Sequence, residues 1–222
     1  MGLKGILKSI WSPLKLKFQR WKHQKTCIYS YQDLSVNVLP GVFSPIMYPS
    51  TEAFLDYVDD LDLDQKTVLE LGCGSGILSM LAARKGALVT ASDINPIALD
   101  ELTVHVRDEN RNIIVVYSDL FENLHFHFDY ILINPPYQSK APTHIEERAI
   151  YAGEDFEYFE NLFSQLKVRT LRETMILLAL PEEAEQFAIC RRAKLHHLKL
   201  KTMKIMTKGM NKTTIYRVVE GN

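Results

Sequence analysis

Apolar positions along this chain change their period several times, and each change predicts an element. Leu3, Ile6, Leu7, Ile10, Trp11 and Leu14 recur at helical spacing, with Lys4, Lys8, Lys15 and Lys17 mostly off that stripe. Ser12-Pro13 breaks or restarts this helix, with Ser12 as N-cap and Pro13 at the first helical position, and Phe18 and Trp21 continue the apolar face. Residues 26–43 read as two short strands turning near Gln32-Asp33, followed by a rigid, turn-rich link over 39–45. Ser50 or Thr51 is placed to cap a helix over 51–60, with Phe54, Leu55 and Val58 inward. From residue 66 onward short apolar runs alternate with amphipathic ones. They predict strands over 66–71, 88–92, 113–117, 128–133 and 175–180, and helices over 77–84, 97–109, 157–172 and 182–193. Two last runs, 198–206 and 213–219, joined through Lys208-Gly209-Met210-Asn211, read as an antiparallel hairpin. Strands alternating with helices point to an α/β chain with a parallel sheet.

The ends of these strands carry the candidate chemistry. Val68-Leu69-Glu70-Leu71-Gly72-Cys73-Gly74-Ser75-Gly76 is a strand running into a glycine turn and then a helix, the start of a βαβ unit. Glycines let the backbone approach a ligand, and the helix N-terminus offers it partial positive charge. The dinucleotide fingerprint G-x-G-x-x-G fails here, because its third glycine falls on Ile77. Asp93 closes the second strand where a cofactor ribose would lie, followed by Ile94; helix capping is the alternative role for Asp93. Asp119 closes the third strand, where it could accept from an adenine amine while Leu120 packs on the ring. The fourth strand runs straight into Asn134-Pro135-Pro136-Tyr137. The two prolines hold Asn134 extended. Its amide, with the Pro135 carbonyl, can bond a planar substrate NH2, and Tyr137 offers a π-face to it. A rigid structural turn is the alternative. Residues 138–147 are polar, a mobile flap over the acceptor in this reading.

Composition narrows the class. With 46% hydrophobic and 24% charged residues, the chain has the balance of an ordinary globular protein, and no apolar run reaches the length of a membrane span. Three widely spaced cysteines, Cys27, Cys73 and Cys190, suggest a reducing compartment, hence the cytoplasm, and no disulfide framework. His125, His127, His196 and His197 lack the partners of a metal site, so no metal is expected. Net charge is −1, but residues 1–25 hold seven Lys or Arg and no acid, leaving 19 basic against 27 acidic residues in the body. A net of −8 there disfavours a general nucleic-acid binder. The N-terminal arm reads as a helix packed on the body with a solvated basic side; a contact with a membrane surface, RNA or the ribosome is the alternative. A secretory signal lacks its apolar core, and a myristoylation signal fails at Ile6. Lys199, Lys201, Lys204, Lys208 and Lys212 crowd the terminal hairpin, as edge protection or as a substrate-facing rim.

Taken together, Glu70-Leu71-Gly72-Cys73-Gly74-Ser75-Gly76, Asp93, Asp119 and Asn134-Pro135-Pro136-Tyr137 resemble the motifs of class I S-adenosylmethionine-dependent methyltransferases. The resemblance spans roughly residues 65–180. It implies a doubly wound, seven-stranded, mostly parallel Rossmann-like sheet ending in an antiparallel hairpin. It divides the chain into a methyltransferase domain, 46–222, and an extension, 1–45, made of the basic helix and the short hairpin. It implies S-adenosylmethionine held by Glu70, Gly72, Cys73, Gly74, Gly76, Asp93, Ile94, Asp119, Leu120 and Asn134, with Asn134, Pro135, Pro136 and Tyr137 at the acceptor. The tetrapeptide is shared by enzymes that methylate release-factor glutamine, the adenine exocyclic amine of DNA or RNA, and the guanine exocyclic amine of ribosomal RNA. Ser118-Asp119-Leu120-Phe121-Glu122 and Tyr151-Ala152-Gly153-Glu154-Asp155 are similar to the glutamine enzymes, which makes a protein glutamine the first expectation for a macromolecular acceptor. Leu39-Pro40-Gly41-Val42-Phe43-Ser44 instead resembles the ribosomal guanine enzymes, which usually have Phe where Tyr137 stands. A non-catalytic cofactor-binding module is the remaining alternative.

Overall fold

The computed structural model describes residues 25–108, 112–125, 127–167 and 173–221. The amphipathic N-terminal helix expected from the sequence lies outside the described residues. Strands β1 (Cys27–Tyr31) and β2 (Leu34–Val38) form a two-stranded antiparallel sheet about Gln32-Asp33. A 3-10 turn, Pro45–Met47, leads into helix α1 (Pro49–Asp59). Then β3 (Thr67–Leu71), α2 (Ile77–Arg84), β4 (Leu88–Asp93), α3 (Pro96–Asp108) and β5 (Ile113–Tyr117) alternate. They are followed by β6 (Tyr130–Ile133), α4 (Glu157–Lys167), β7 (Met175–Pro181), α5 (Gln186–Leu195), β8 (Leu198–Lys208) and β9 (Asn211–Glu220).

Seven of these strands make one sheet in the order β5-β4-β3-β6-β7-β9-β8, parallel from β5 to β7 and closed by the antiparallel β9 and β8. The parallel strands are mostly apolar because helices cover both faces, with Glu70, Thr90 and Ser92 as buried polar exceptions. Side chains alternate between two apolar clusters. Val68, Val89, Ala91, Leu132, Leu177 and Ile215 join α1, α2, α3 and the small hairpin on one face. Leu69, Leu71, Ile131, Ile133, Ile176 and Leu178 join α4 and α5 on the other. Tyr31, Leu34 and Val36 of the hairpin are buried in the first of these clusters. The chain order reverses between β3 and β6, and at such a switch point the helices diverge and leave a crevice at the strands' carboxyl ends.

Two helix starts differ from expectation. Pro49 sits at the first position of α1 and Tyr48 is its N-cap, so Ser50 and Thr51 are buried inside the first turn instead of capping it. Proline's fixed φ starts the helix earlier than a hydroxyl cap would. Helix α5 begins at Gln186 instead of 182 because Pro181 is still paired with Thr213, and the Glu182 N–H donates to Lys212 O at 2.9 Å. At the edge, Lys204 pairs with Asp60 (3.1 Å) and Lys208 with Glu52 (3.0 Å), fastening the last hairpin to α1. Lys199, Lys201 and Lys212 remain exposed.

Candidate active site

The crevice is a cavity of about 380 Å³ whose floor is the row of carboxyl ends. Gly72, Cys73, Gly74, Asp93, Ile94, Asp119, Leu120, Asn134 and Pro136 line it, together with Glu70 from β3. Four successive strand ends thus deliver residues that are far apart in the chain to one space.

The glycine loop is shaped by hydrogen bonds to its neighbours. Gly72 N and Cys73 N both donate to Ser92 O, at 2.8 and 2.9 Å. Gly74 N donates to Asp93 Oδ2 at 2.7 Å, and Asn95 N donates to Asp93 Oδ1 at 2.8 Å. Asp93 therefore does bond the turn that opens α3, as the capping reading expects, while also drawing in the glycine loop. Burial raises its carboxyl above the usual range, and the N–H groups of Asn95, Gly74 and Ile94 pull it back. Asn95 is the local cap: its Oδ1 accepts from Ile97 N at 3.1 Å, and its Nδ2 donates to Gly41 O at 2.8 Å.

Glu70 has a different first task. Gly76, the N-cap of α2, has no side chain to offer the helix. The Glu70 carboxylate takes that place: Oε2 accepts from Ser79 N at 2.8 Å and bonds Ser79 Oγ as well. Its oxygen supplies the acceptor that the otherwise unpaired N–H of the first helical turn needs. Burial pushes its pKa up to about 8.

Three expected contacts are not made. Gly76 is absent from the cavity wall; a Cβ there would stand 2.5 Å from Leu102 Cδ1, so this glycine serves the close packing of α3 on the loop. Pro135 and Tyr137 are also not part of the wall. Beyond the end of β6 at Ile133, Asn134 and Pro136 line the cavity, while Tyr137 packs against the second apolar cluster. Other aromatic residues are nearer the cavity. Phe43 stacks on Tyr48 with centroids 4.8 Å apart, and Phe43, Tyr151 and Tyr158 line the wall. Phe43 belongs to the turn-rich link and Tyr158 to the first turn of α4, positions that only folding brings to the strand ends.

Thr51 is a further residue not singled out from the sequence for this site. Asn134 Nδ2 donates to Thr51 Oγ1 at 3.1 Å, which leaves the Asn134 carbonyl oxygen for a ligand. The expected flap is a strap that roofs the cavity through Ala141, Pro142, Ile145, Arg148 and Ala149. Isolated bridges from Gln138 to Tyr151 and from Lys140 to Gly153 tie it down. Arg148 reaches Asp119 at 3.2 Å across the mouth. Cys73 is buried, and burial holds its thiol well above the usual range, which disfavours the thiolate. Among the described residues no group of His, Cys, Asp and Glu is arranged to hold a metal ion, and no helix is long and apolar enough to cross a membrane.

These features fit S-adenosylmethionine. At Gly72, with φ +77°, a Cβ would meet no atom within 4 Å: the space above the loop is open for a ligand to approach the backbone. Asp93, Asp119 and Leu120 line that same space, two carboxylates and an apolar side chain at neighbouring strand ends.

Comparison with known proteins agrees. A candidate protein N5-glutamine methyltransferase of Methanocaldococcus jannaschii is 35% identical over 122 residues, 54% of this chain and 58% of that protein. Ribosomal RNA small subunit methyltransferase C of Actinobacillus pleuropneumoniae is 33% identical over 118 residues, 52% of this chain and 36% of that protein. The aligned part thus spans between about a third and little more than half of these relatives' length. A solved 16S rRNA N2 guanine methyltransferase of T. thermophilus, in complex with AdoMet and guanosine, superposes with a TM-score of 0.60 at 17% identity, over 89% of this chain and 50% of that one. At that identity the likeness speaks for the fold alone. The methyltransferase small domain family matches residues 33–155, from the end of the first hairpin's turn through the cavity roof, and this chain belongs to that family.

Proposed function

We propose that this protein transfers the methyl group of S-adenosylmethionine to a planar nitrogen of a macromolecule, and that the acceptor is the side-chain amide of a protein glutamine. The reading rests on Asn134, whose carbonyl oxygen is left for a ligand in the crevice at the topological switch point. The cofactor supplies an electrophilic methyl group on a sulfonium centre. Asp93 and the loop of Gly72 and Gly74 hold it, and Asp119 and Leu120 receive its base. An amide nitrogen is conjugated and therefore a poor nucleophile. The Asn134 oxygen accepts one of its N–H groups and favours pyramidalisation as positive charge develops, a preorganised electrostatic contribution. The enclosed cavity aligns the reacting atoms, which supplies much of the remaining acceleration. The nitrogen sheds its extra proton after transfer, so no dedicated base is needed.

The charge of the roof together with the segment that follows it favours a polypeptide acceptor over a polyanion. Residues 138–157 carry Lys140 and Arg148 against Glu146, Glu147, Glu154, Asp155 and Glu157. Phosphates approaching this mouth meet net negative charge, which weakens RNA binding. One observation favours the guanine reading instead: Val42 and Phe43, from the segment similar to ribosomal guanine enzymes, form part of the wall. The three free cysteines suit a reducing, cytoplasmic setting.

Incubation of cell extract with tritiated S-adenosylmethionine and the purified protein separates the two. Label in a protein glutamine is removed by protease and released as methylamine on acid hydrolysis. Label removed by nuclease and recovered as a methylated base would overturn the glutamine assignment. Absence of any transfer would favour a non-catalytic module.

A further inference from the structure

We propose that Thr51 is a positioning residue that fixes which end of the Asn134 amide meets the acceptor; this rests on the methyl-transfer reading above. Thr51 is only 2% exposed, yet it belongs to the cavity wall. Its backbone is fixed in the first turn of α1, where Thr51 N donates to Tyr48 O at 3.0 Å. Asn134, 83 residues away in sequence, is held extended by Pro135 and gives its Nδ2 to the Thr51 hydroxyl oxygen at 3.1 Å.

The two ends of an asparagine amide have nearly the same shape, so hydrogen bonding alone selects between them. In the structure the Thr51 hydroxyl oxygen is the acceptor of this bond, so its lone pair serves the amide donor. Thr51 thereby holds the NH2 end of Asn134 and turns the oxygen to the crevice. The acceptor nitrogen arrives carrying N–H donors. With the amide reversed, donor would face donor, and the contact that favours pyramidalisation would be lost. Thr51 touches neither the transferred methyl nor the acceptor nitrogen in this account; it acts through Asn134.

Three variants test this. Thr51→Val keeps the shape but removes the hydroxyl. It should lower kcat by about ten- to a hundred-fold, with S-adenosylmethionine affinity within two-fold of wild type. Thr51→Ser restores the hydroxyl and should recover most of kcat. In an Asn134→Asp background, Thr51→Val should have little further effect, because a carboxylate has an acceptor at both ends. That non-additivity separates positioning from general damage to the fold. Nuclear magnetic resonance gives a readout independent of turnover. The Asn134 side-chain NH2 signal, identified by its loss in Asn134→Asp, should move upfield in Thr51→Val. An unchanged NH2 signal overturns the proposal whether or not wild type transfers methyl to any acceptor. So does a Thr51→Val kcat within two-fold of wild type, or an equal loss in both backgrounds. Failure of wild type to methylate any acceptor would instead overturn the reading of the site, with the NH2 signal still reporting on the Thr51 contact.

Discussion

In the proposed reaction Asn134 meets the acceptor nitrogen, and its removal should divide catalysis from binding. Asn134→Ala should cut kcat on the order of 10²-fold while donor affinity, measured by calorimetry, stays within a few-fold. Asp93→Ala should do the reverse and weaken the cofactor by roughly 1.5–3 kcal/mol, the worth of charge-assisted bonds to ribose. Gly76→Ala should leave binding chemistry alone and destabilise the fold by about 1–3 kcal/mol in urea unfolding, since the residue has φ +76° and the new Cβ would press on Leu102. Two carboxyls give opposite pH slopes. Glu70 is raised by burial to about 8, so the folded state holds its proton more tightly than the unfolded chain does. Its contribution to stability is full below the unfolded value, about 4.3, and is lost as pH rises toward 8. Asp129 accepts from Thr67 N and Thr67 Oγ1 at 2.8 and 2.9 Å, which lowers its carboxyl. Its contribution is present above about pH 3.9 and is lost on acidification through the lowered folded value. Thermal melts of the cofactor-free protein should show a flatter neutral limb for Glu70→Gln and a flatter acid limb for Asp129→Asn.

Among the elements, the segment after β6 and the strap over the cavity would meet the acceptor in the proposed reaction. Tyr137 packs against the second apolar cluster and is not part of the cavity wall. Tyr137→Ala should therefore act mainly on stability. The strap is fastened across the mouth by Arg148 and Asp119, whose side chains are about half exposed. Such a pair contributes at most about 1 kcal/mol. Arg148→Ala should leave the melting temperature nearly unchanged while speeding cofactor release several-fold in stopped-flow measurements. Lys204 and Lys208 are engaged by acids of α1, and Met203 lies at the irregularity in β8 pairing between Thr202 and Lys204. Both features protect an edge strand from pairing with another chain.

At the scale of the whole molecule, all the cavity residues named here lie from Val42 onward, so deletion of residues 2–24 should leave S-adenosylmethionine binding unchanged by calorimetry. If that basic segment recruits the acceptor, its loss should raise KM and flatten the dependence on salt; unchanged kinetics with a lower melting temperature would assign it to packing. Much of the architecture is already written in local pattern. Parallel strands covered on both faces must be apolar runs, so β3, β4, β5 and β7 were legible to within a residue or so at each end. A glycine loop, strand-end acids and Asn134-Pro135-Pro136-Tyr137 are local chemistry, and nearly all of them converge on one crevice. Helix starts were less legible, because proline at α1 and continued strand pairing at Pro181 outweigh side-chain capping preferences. What the sequence could not determine were relations across the fold: that Glu70 caps α2, that Gly76 makes room for Leu102, and that Thr51 holds Asn134. Glu70 and Ser79 meet within one strand–loop–helix unit once the glycine loop folds back; the other two contacts join elements that only the assembled fold brings together. No hydrophobic period along the chain encodes any of them, because each depends on how the elements pack.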